Sequence, residues 1–177
     1  MRAPTAPAVL LVLTVALAGC SPDAARDPLA PSGPSLSASA RPETATKVKR
    51  IHGTLEAFES GMPQPGTPIV VRRLVGEGTA SHLGRFTVVA DLTLNLATAS
   101  GTGTGTYTAA NGDVLTTTAT GRAVLAGGIA TVTEAVTITG GTGRFAGATG
   151  SLTVVRRIVQ ATGISTGTID GEITLPK

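Results

Sequence analysis

From Phe86 to Leu96 every residue but Val89 obeys a single rule: Phe86, Val88, Ala90, Leu92, Leu94 and Leu96 share one face, while Thr87, Asp91, Thr93 and Asn95 share the other. A period of two belongs to a half-buried strand, because a helix would scatter the same side chains around its circumference. The pattern recurs. Ala130, Val132, Val136 and Ile138 alternate with Thr131, Thr133, Thr137 and Thr139, and Ile169, Ile173 and Leu175 alternate with Thr168, Asp170, Glu172 and Thr174. Threonine suits the outer face, being β-branched yet wettable. Asn111-Gly112, set between Thr-rich runs, predicts a two-residue hairpin turn with positive φ at both central positions. Together these signals predict strands over 50–59, 67–75, 84–97, 101–109, 113–124, 129–139, 147–160 and 163–175, with no helix after the first twenty residues.

Antiparallel strands on short turns must manage their edges, and closure into a barrel removes edges altogether. The expected fold is therefore all-β, an eight-stranded antiparallel barrel whose interior is either filled by side chains or holds one small ligand. A two-sheet sandwich is the rival architecture. The barrel is preferred because the strands are long and evenly spaced and carry no immunoglobulin-type Cys and Trp marks. Composition agrees with a β domain: of 177 residues 23 are Gly, none is Trp, one is Tyr and three are Phe, with 14 Lys+Arg against 11 Asp+Glu. That balance excludes a coiled coil, a charged disordered tail and a disulfide scaffold.

The chain begins with a different signature. Arg2 precedes an apolar run of eleven residues, Ala8 to Ala18, too short to span a bilayer and of the length of an export signal. The run ends in Leu17-Ala18-Gly19-Cys20, which looks like the lipobox of bacterial lipoproteins, and Cys20 is the chain's single Cys. The resemblance implies cleavage before Cys20, acylation of its thiol, and a mature chain facing the extracytoplasmic side of a cell or outer membrane. The alternative is an ordinary cleaved signal in which that Cys is incidental. Residues 21 to 46 carry five Pro and five Ser and no aromatic residue, the composition of a disordered linker. The expected division is thus 1–19 signal peptide, 20–46 lipidated Cys and linker, and 47–177 barrel.

Three segments then carry a wider resemblance. Gly76-Glu77-Gly78-Thr79-Ala80-Ser81-His82-Leu83-Gly84-Arg85-Phe86-Thr87, Ala109-Ala110-Asn111-Gly112-Asp113 and Thr139-Gly140-Gly141-Thr142-Gly143-Arg144-Phe145-Ala146-Gly147-Ala148-Thr149-Gly150-Ser151 resemble, in that order, a family of small exported bacterial proteins. The last also looks like the glycine-rich turn of the allene oxide cyclase and dirigent barrels. The resemblance implies an allene-oxide-cyclase-like eight-stranded barrel with an apolar central cavity, and a homotrimer as in many plant members. The acidic and aromatic residues of the plant active sites have no counterpart here, so no catalytic residue is carried over.

Charges on apolar stripes are the informative anomalies. Glu134 interrupts Ala130, Val132, Val136 and Ile138, and Arg156 interrupts Leu152, Val154 and Ile158. A hairpin around Gly140 to Gly150, with paired residue numbers summing near 290, sets Glu134 beside Arg156 inside the barrel as an ion pair. It is a structural pair, or one of its members sits in water at a barrel mouth, or, for a small hydrophobic ligand or substrate, it is an acid or base with its orienting cation. Tyr107 is a further candidate for the cavity. Arg72-Arg73 and Arg156-Arg157 each point one charge outward, since strand neighbours face opposite ways, and those outer arginines are solvated or lie near anionic lipid heads. With no stacking aromatics, nucleic acid is not an expected partner. Gly141-Thr142-Gly143-Arg144-Phe145-Ala146 matches a loose dinucleotide pattern but precedes a strand instead of a helix, so its glycines read as turn positions and Phe145 as a plug. Gly101, Gly103 and Gly105 predict a strand that bends or lets another backbone approach. His52 and His82 are too few and too far apart for a metal site, Ser81 beside His82 makes no catalytic dyad, and no cofactor is expected. The sequence thus describes a lipid-anchored binding or structural module, with an isomerase or cyclase of small apolar substrates as the rival. An open or a filled barrel interior separates the two ideas.

Overall fold

The computed structural model describes residues 46–176. The expected export signal, Cys20 and nearly all of the expected linker lie outside the described residues. Eight strands follow one another: β1 (Lys47–Pro63), β2 (Ile69–Ala80), β3 (Gly84–Asn95), β4 (Ser100–Ala109), β5 (Val114–Ala126), β6 (Ile129–Gly141), β7 (Thr149–Val159) and β8 (Ile164–Leu175). Each pairs antiparallel with the next, and β8 returns to β1, closing the barrel. Every strand finds its hydrogen-bond neighbours and its core within 47–175, so the barrel is complete as a folding unit.

Alternation decides which side chains turn inward. On β7, Leu152, Val154, Arg156 and Ile158 are buried while Ser151, Thr153, Val155 and Arg157 are exposed. On β3, Phe86, Val88 and Leu92 are buried and Leu94 is half-buried. Leu96 departs from the expected inward row. β3 stops at Asn95, whose side-chain Oδ1 accepts the N–H groups of Ala97 (3.0 Å) and Thr98 (3.3 Å) and turns the chain, leaving Leu96 on the rim with 61% exposure. β2 runs further than the apolar signal reached, to Ala80. Gly76 and Gly78 carry no side chain because β1 lies against them: a Cβ at Gly76 would meet that of Ala57 at 2.5 Å. Small inward residues at the end of β2 erase the hydrophobic period without ending the strand.

The connection around Asn111 also differs from expectation. Ala109 N–H donates to the Asp113 carbonyl at 2.9 Å and Gly112 N–H to the Ala109 carbonyl at 2.9 Å, which makes a three-residue connection. Gly112 alone takes positive φ, 87°, and Asn111 does not. The Asn111 side chain instead bridges to Asp113, donating to its Oδ2 at 2.7 Å, so the left-handed position is needed once and glycine supplies it.

The barrel has two unlike ends. At the entry end, where β1 begins, the β6–β7 connection holds a single 3-10 turn, Gly143–Phe145, and seats Phe145 with no exposed surface beside the equally buried Leu115 and Ile173. Gly143 has φ 54°, and a Cβ there would strike the Asp113 carboxylate. Arg144 latches the turn by donating from Nη2 to the Leu83 carbonyl at 3.0 Å, its guanidinium lying 4.8 Å from the Phe145 ring centre. Phe86 and Tyr107 meet edge to face at 5.5 Å in the layer above. The entry end is a filled core. The far end, ringed by the connections 64–68, 96–99, 127–128 and 160–163, is not filled.

Candidate functional site

Near the far end the inner positions divide around the circumference. β1, β2, β6, β7 and β8 contribute Glu59, Arg72, Glu134, Arg156 and Ser165, while β4 and β5 contribute Gly101, Gly103, Ala119, Gly121 and Ala123. Charge fills one half, and small residues line the other. The result is a cavity of about 300 Å³ that opens between the far connections. Its walls are largely apolar, with Leu92, Leu94, Ala130, Val132 and Ile158 facing Gly101, Gly121 and Ala123, and its floor is the charged cluster. The volume sits at the small end of ligand sites, roughly 300–1,000 Å³.

Arg156 organises the floor. Its Nε donates to Glu134 Oε2 at 3.1 Å and its Nη2 to Glu134 Oε1 at 2.6 Å, a two-pronged pair. Its Nη1 donates to Glu59 Oε1 and, at 3.4 Å, to Ser165 Oγ. Glu59 Oε2 accepts from Arg72 Nη1 at 3.4 Å, and Arg72 Nη2 reaches Gln160 Oε1 at 3.3 Å. Two arginines thus balance two glutamates. Burial works against the Arg156 charge, yet the hydrogen bonds and charge of Glu134, with those of Glu59, outweigh it and hold the guanidinium pKa above its ordinary value. Exposure falls unevenly: the side chains of Arg156 and Glu59 are 3% and 1% exposed, those of Arg72 and Glu134 22% and 13%. The edges of the cluster that a ligand in the cavity can touch are therefore an Arg72 donor and a Glu134 acceptor.

Of the residues singled out from sequence, Glu134 and Arg156 meet as the β6–β7 hairpin sets them, Glu134 opposite Val154 and Val132 opposite Arg156. Tyr107 stands apart from the mouth cavity. It lines a separate void of about 30 Å³ beneath the cluster, with Leu55, Val88 and Thr117. Burial, then the charge of Glu134, pushes its hydroxyl up to about 12, with Arg156 acting in the opposite sense. Glu59 and the inward role of Arg72 escaped the sequence reading. Their signal was present, since Glu59 closes the odd-numbered row Ile51, Leu55, Ala57 and Arg72 sits between the buried Val70 and Leu74. Gly103 lets the β3 backbone come close, since a Cβ there would meet the Asp91 carbonyl oxygen at 2.8 Å, and Cβ atoms on Gly101 and Gly103 would also meet Leu94 Cδ2 at 2.6 Å and Leu92 Cδ2 at 2.5 Å. Leucine side chains from β3 lean across the space those glycines leave.

The histidines lie elsewhere, at the entry end. Ser81 Oγ accepts the His52 N–H at 3.0 Å, stands 3.4 Å from His52 Nδ1 and donates to the Arg50 carbonyl at 3.3 Å, which makes it a staple between β1 and the β2–β3 turn. His82 occupies that turn with φ 65°, and slight burial followed by the charges of Lys49, His52 and Lys47 holds its pKa below the usual value. Among the described residues no three His, Cys, Asp or Glu side chains gather as metal ligands.

The barrel has solved counterparts. It superposes on the pterocarpan synthase dirigent protein GePTS1 with a TM-score of 0.58 at 14% identity, over 76% of this chain and 93% of that one. The fold is dirigent-like. A second pterocarpan synthase dirigent protein, PsPTS1, matches with a TM-score of 0.57 at 15% identity, over 74% of this chain and 97% of that one. No protein-family model matches the sequence, and no curated protein does. At such identities the likeness speaks for the dirigent-like barrel, and the side chains of the mouth have to be read on their own chemistry.

Proposed function

We propose that this chain is a membrane-anchored extracytoplasmic lipoprotein, held at Cys20, whose dirigent-like barrel binds one small, largely apolar molecule in its mouth. The observation that carries the binding reading is the cavity of about 300 Å³ above a buried, charge-balanced floor. Apolar walls supply most of the affinity, about 25 cal/mol per Å² of surface removed from water. Arg72 and Glu134 orient the ligand's polar end. Anchoring is supported by Leu17-Ala18-Gly19-Cys20 and by the lack of any other Cys. The neutral fluorophore N-phenylnaphthylamine tests the cavity. Saturable fluorescence gain is expected with the parent protein and is expected to vanish in Ala123→Leu, whose added side chain enters the mouth, with no loss of thermal stability. A parent protein that never takes up the fluorophore, or an Ala123→Leu protein that takes it up equally, removes the mouth as a binding site.

Isomerase or cyclase chemistry in the same cavity is the second reading, supported by the synthase names of the two dirigent neighbours. Geometry weighs against it. Both Glu134 oxygens already accept from Arg156, so the carboxylate is turned toward the guanidinium and fixed there instead of being aimed at a substrate atom. The homotrimer has support in a cross-strand row of outward apolar side chains, Val89, Val75, Phe58, Ile164, Val159 and Ile129, each directly opposite the next. Phe58→Asp, in the middle of that row, is expected to lower the sedimentation mass to that of one chain, and a parent barrel already of one-chain mass excludes the trimer.

A further inference from the structure

The two barrel ends differ in charge as well as in filling. The four connections at the mouth, 64–68, 96–99, 127–128 and 160–163, contain no charged residue. Among and beside them stand Met62, Leu96, Val124 and Leu125, exposed by 78%, 61%, 70% and 68%. Two of these, Leu96 and Leu125, also line the cavity. The opposite end places Lys47, Lys49, Arg50, Arg144 and Glu172 around its strand termini and turn. A soluble wall does not gather its large apolar side chains at one uncharged tip without a partner for them.

Behind this collar the outward face turns basic. Arg73 lies four residues from the rim end of β2 at Ile69, Arg122 four from the end of β5 at Ala126, and Arg157 two from the end of β7 at Val159. All three are exposed. Arg73 is paired with Asp91 at 3.0 Å, and among the described residues neither Arg122 nor Arg157 is in an ion pair. With ~3.4 Å per residue on strands tilted by roughly 40°, the arginines stand about 5–10 Å behind the rim. That is the depth to which interfacial segments bury an apolar face, about 5–10 Å, with their cations left at headgroup level.

We propose that the mouth end docks on an anionic lipid bilayer. Leu96, Leu125, Val124 and Met62 enter the boundary between headgroups and acyl chains, Arg122 and Arg157 meet lipid phosphates, and the cavity opens onto the membrane, so an apolar ligand passes between the two without crossing water. The order of layers, apolar tip and then cationic ring, follows the depth profile of an anionic membrane. A second copy docked mouth to mouth would set the two arginine rings against each other. The docking does not depend on what the cavity holds.

Co-sedimentation of residues 21–177, which have neither signal nor thiol, tests the docking with vesicles of phosphatidylcholine alone and of equal parts phosphatidylcholine and phosphatidylglycerol. The protein is expected to pellet with the anionic vesicles and to be released by salt. Arg122→Gln/Arg157→Gln is expected to weaken the binding roughly 25-fold, about fivefold for each arginine, and Leu96→Asp/Leu125→Asp to abolish it. If the latter pair fails to fold, Val124→Asp carries the same test. Absence of pelleting at low salt overturns the proposal, as does pelleting that survives the aspartate substitutions. So does a self-associated form that those substitutions dissolve without any vesicle binding. A protein that takes up N-phenylnaphthylamine but pellets with neither vesicle loses the docking and keeps the cavity.

Discussion

Arg156 touches three partners with its whole guanidinium while its side chain is 3% exposed, and two carboxylates depend on it for compensation. Arg156→Met leaves Glu134 without a cation and Glu59 with the half-buried Arg72 alone. Urea denaturation is expected to register a loss of about 3–5 kcal/mol, the range for breaking a buried pair from one side. Glu134→Gln keeps an acceptor and leaves Arg156 its bond to Glu59, so its cost is expected at about 1–3 kcal/mol. Equal losses for the two variants would contradict Arg156 as the centre of the floor. Tyr107, the only Tyr in a chain without Trp, gives an unobstructed optical reading of the layer below. Absorbance near the phenolate band should titrate with a midpoint of about 12 in the folded protein against 10.0 for the free group. Because the folded pKa is the higher, the stabilisation from keeping Tyr107 neutral is whole below pH 10 and disappears as the pH climbs toward about 12. Its full size is about 3 kcal/mol. A midpoint near 10 would place Tyr107 in water.

At the scale of strands, the mouth exists because β4 and β5 turn Gly101, Gly103, Ala119, Gly121 and Ala123 toward a face on which β3 and β7 turn Leu92, Leu94 and Ile158. Ala123→Leu and Ala119→Leu are expected to fill that space and to leave stability unchanged or raised by about 1 kcal/mol, as read by thermal unfolding. Destabilisation by several kcal/mol would show the region already packed. The strands themselves were legible, since alternation of Thr with Val, Ile and Leu is a local signal. The Glu134–Arg156 contact was legible because it lies within one hairpin, where a register sum near 290 anticipated the observed 288, as for Ile129 opposite Val159. Glu59 was not assembled with them, because it joins Arg156 across 97 residues and only through barrel closure between β8 and β1. The cavity was hidden for a related reason. A glycine on an inner face is read from sequence as a backbone device, and only the facing strands show what comes against it, the neighbouring backbone as at Gly76 or a side chain as at Gly121, where a Cβ would lie 2.9 Å from Glu134 Cγ. The end of β3 at Asn95 depends on a side-chain cap that alternation does not encode.

For the molecule as a whole, the filled entry end and the open mouth divide the labour of one barrel. Phe145, Leu115 and Ile173 supply stability where the chain enters, and the far end is relieved of that task. Phe145→Ala is accordingly expected to cost about 3–5 kcal/mol in urea denaturation while the dissociation constant for N-phenylnaphthylamine stays unchanged. A lost or weakened fluorophore site in a variant that is still folded would mean the two ends are not independent. Native mass spectrometry of residues 21–177, purified without denaturation from the cell that makes the protein, tests the ligand-holding mouth most directly. One retained small molecule per barrel in the parent protein, missing from Ala123→Leu, is the predicted result, and a parent barrel that carries nothing and accepts no apolar probe added to it would contradict the account.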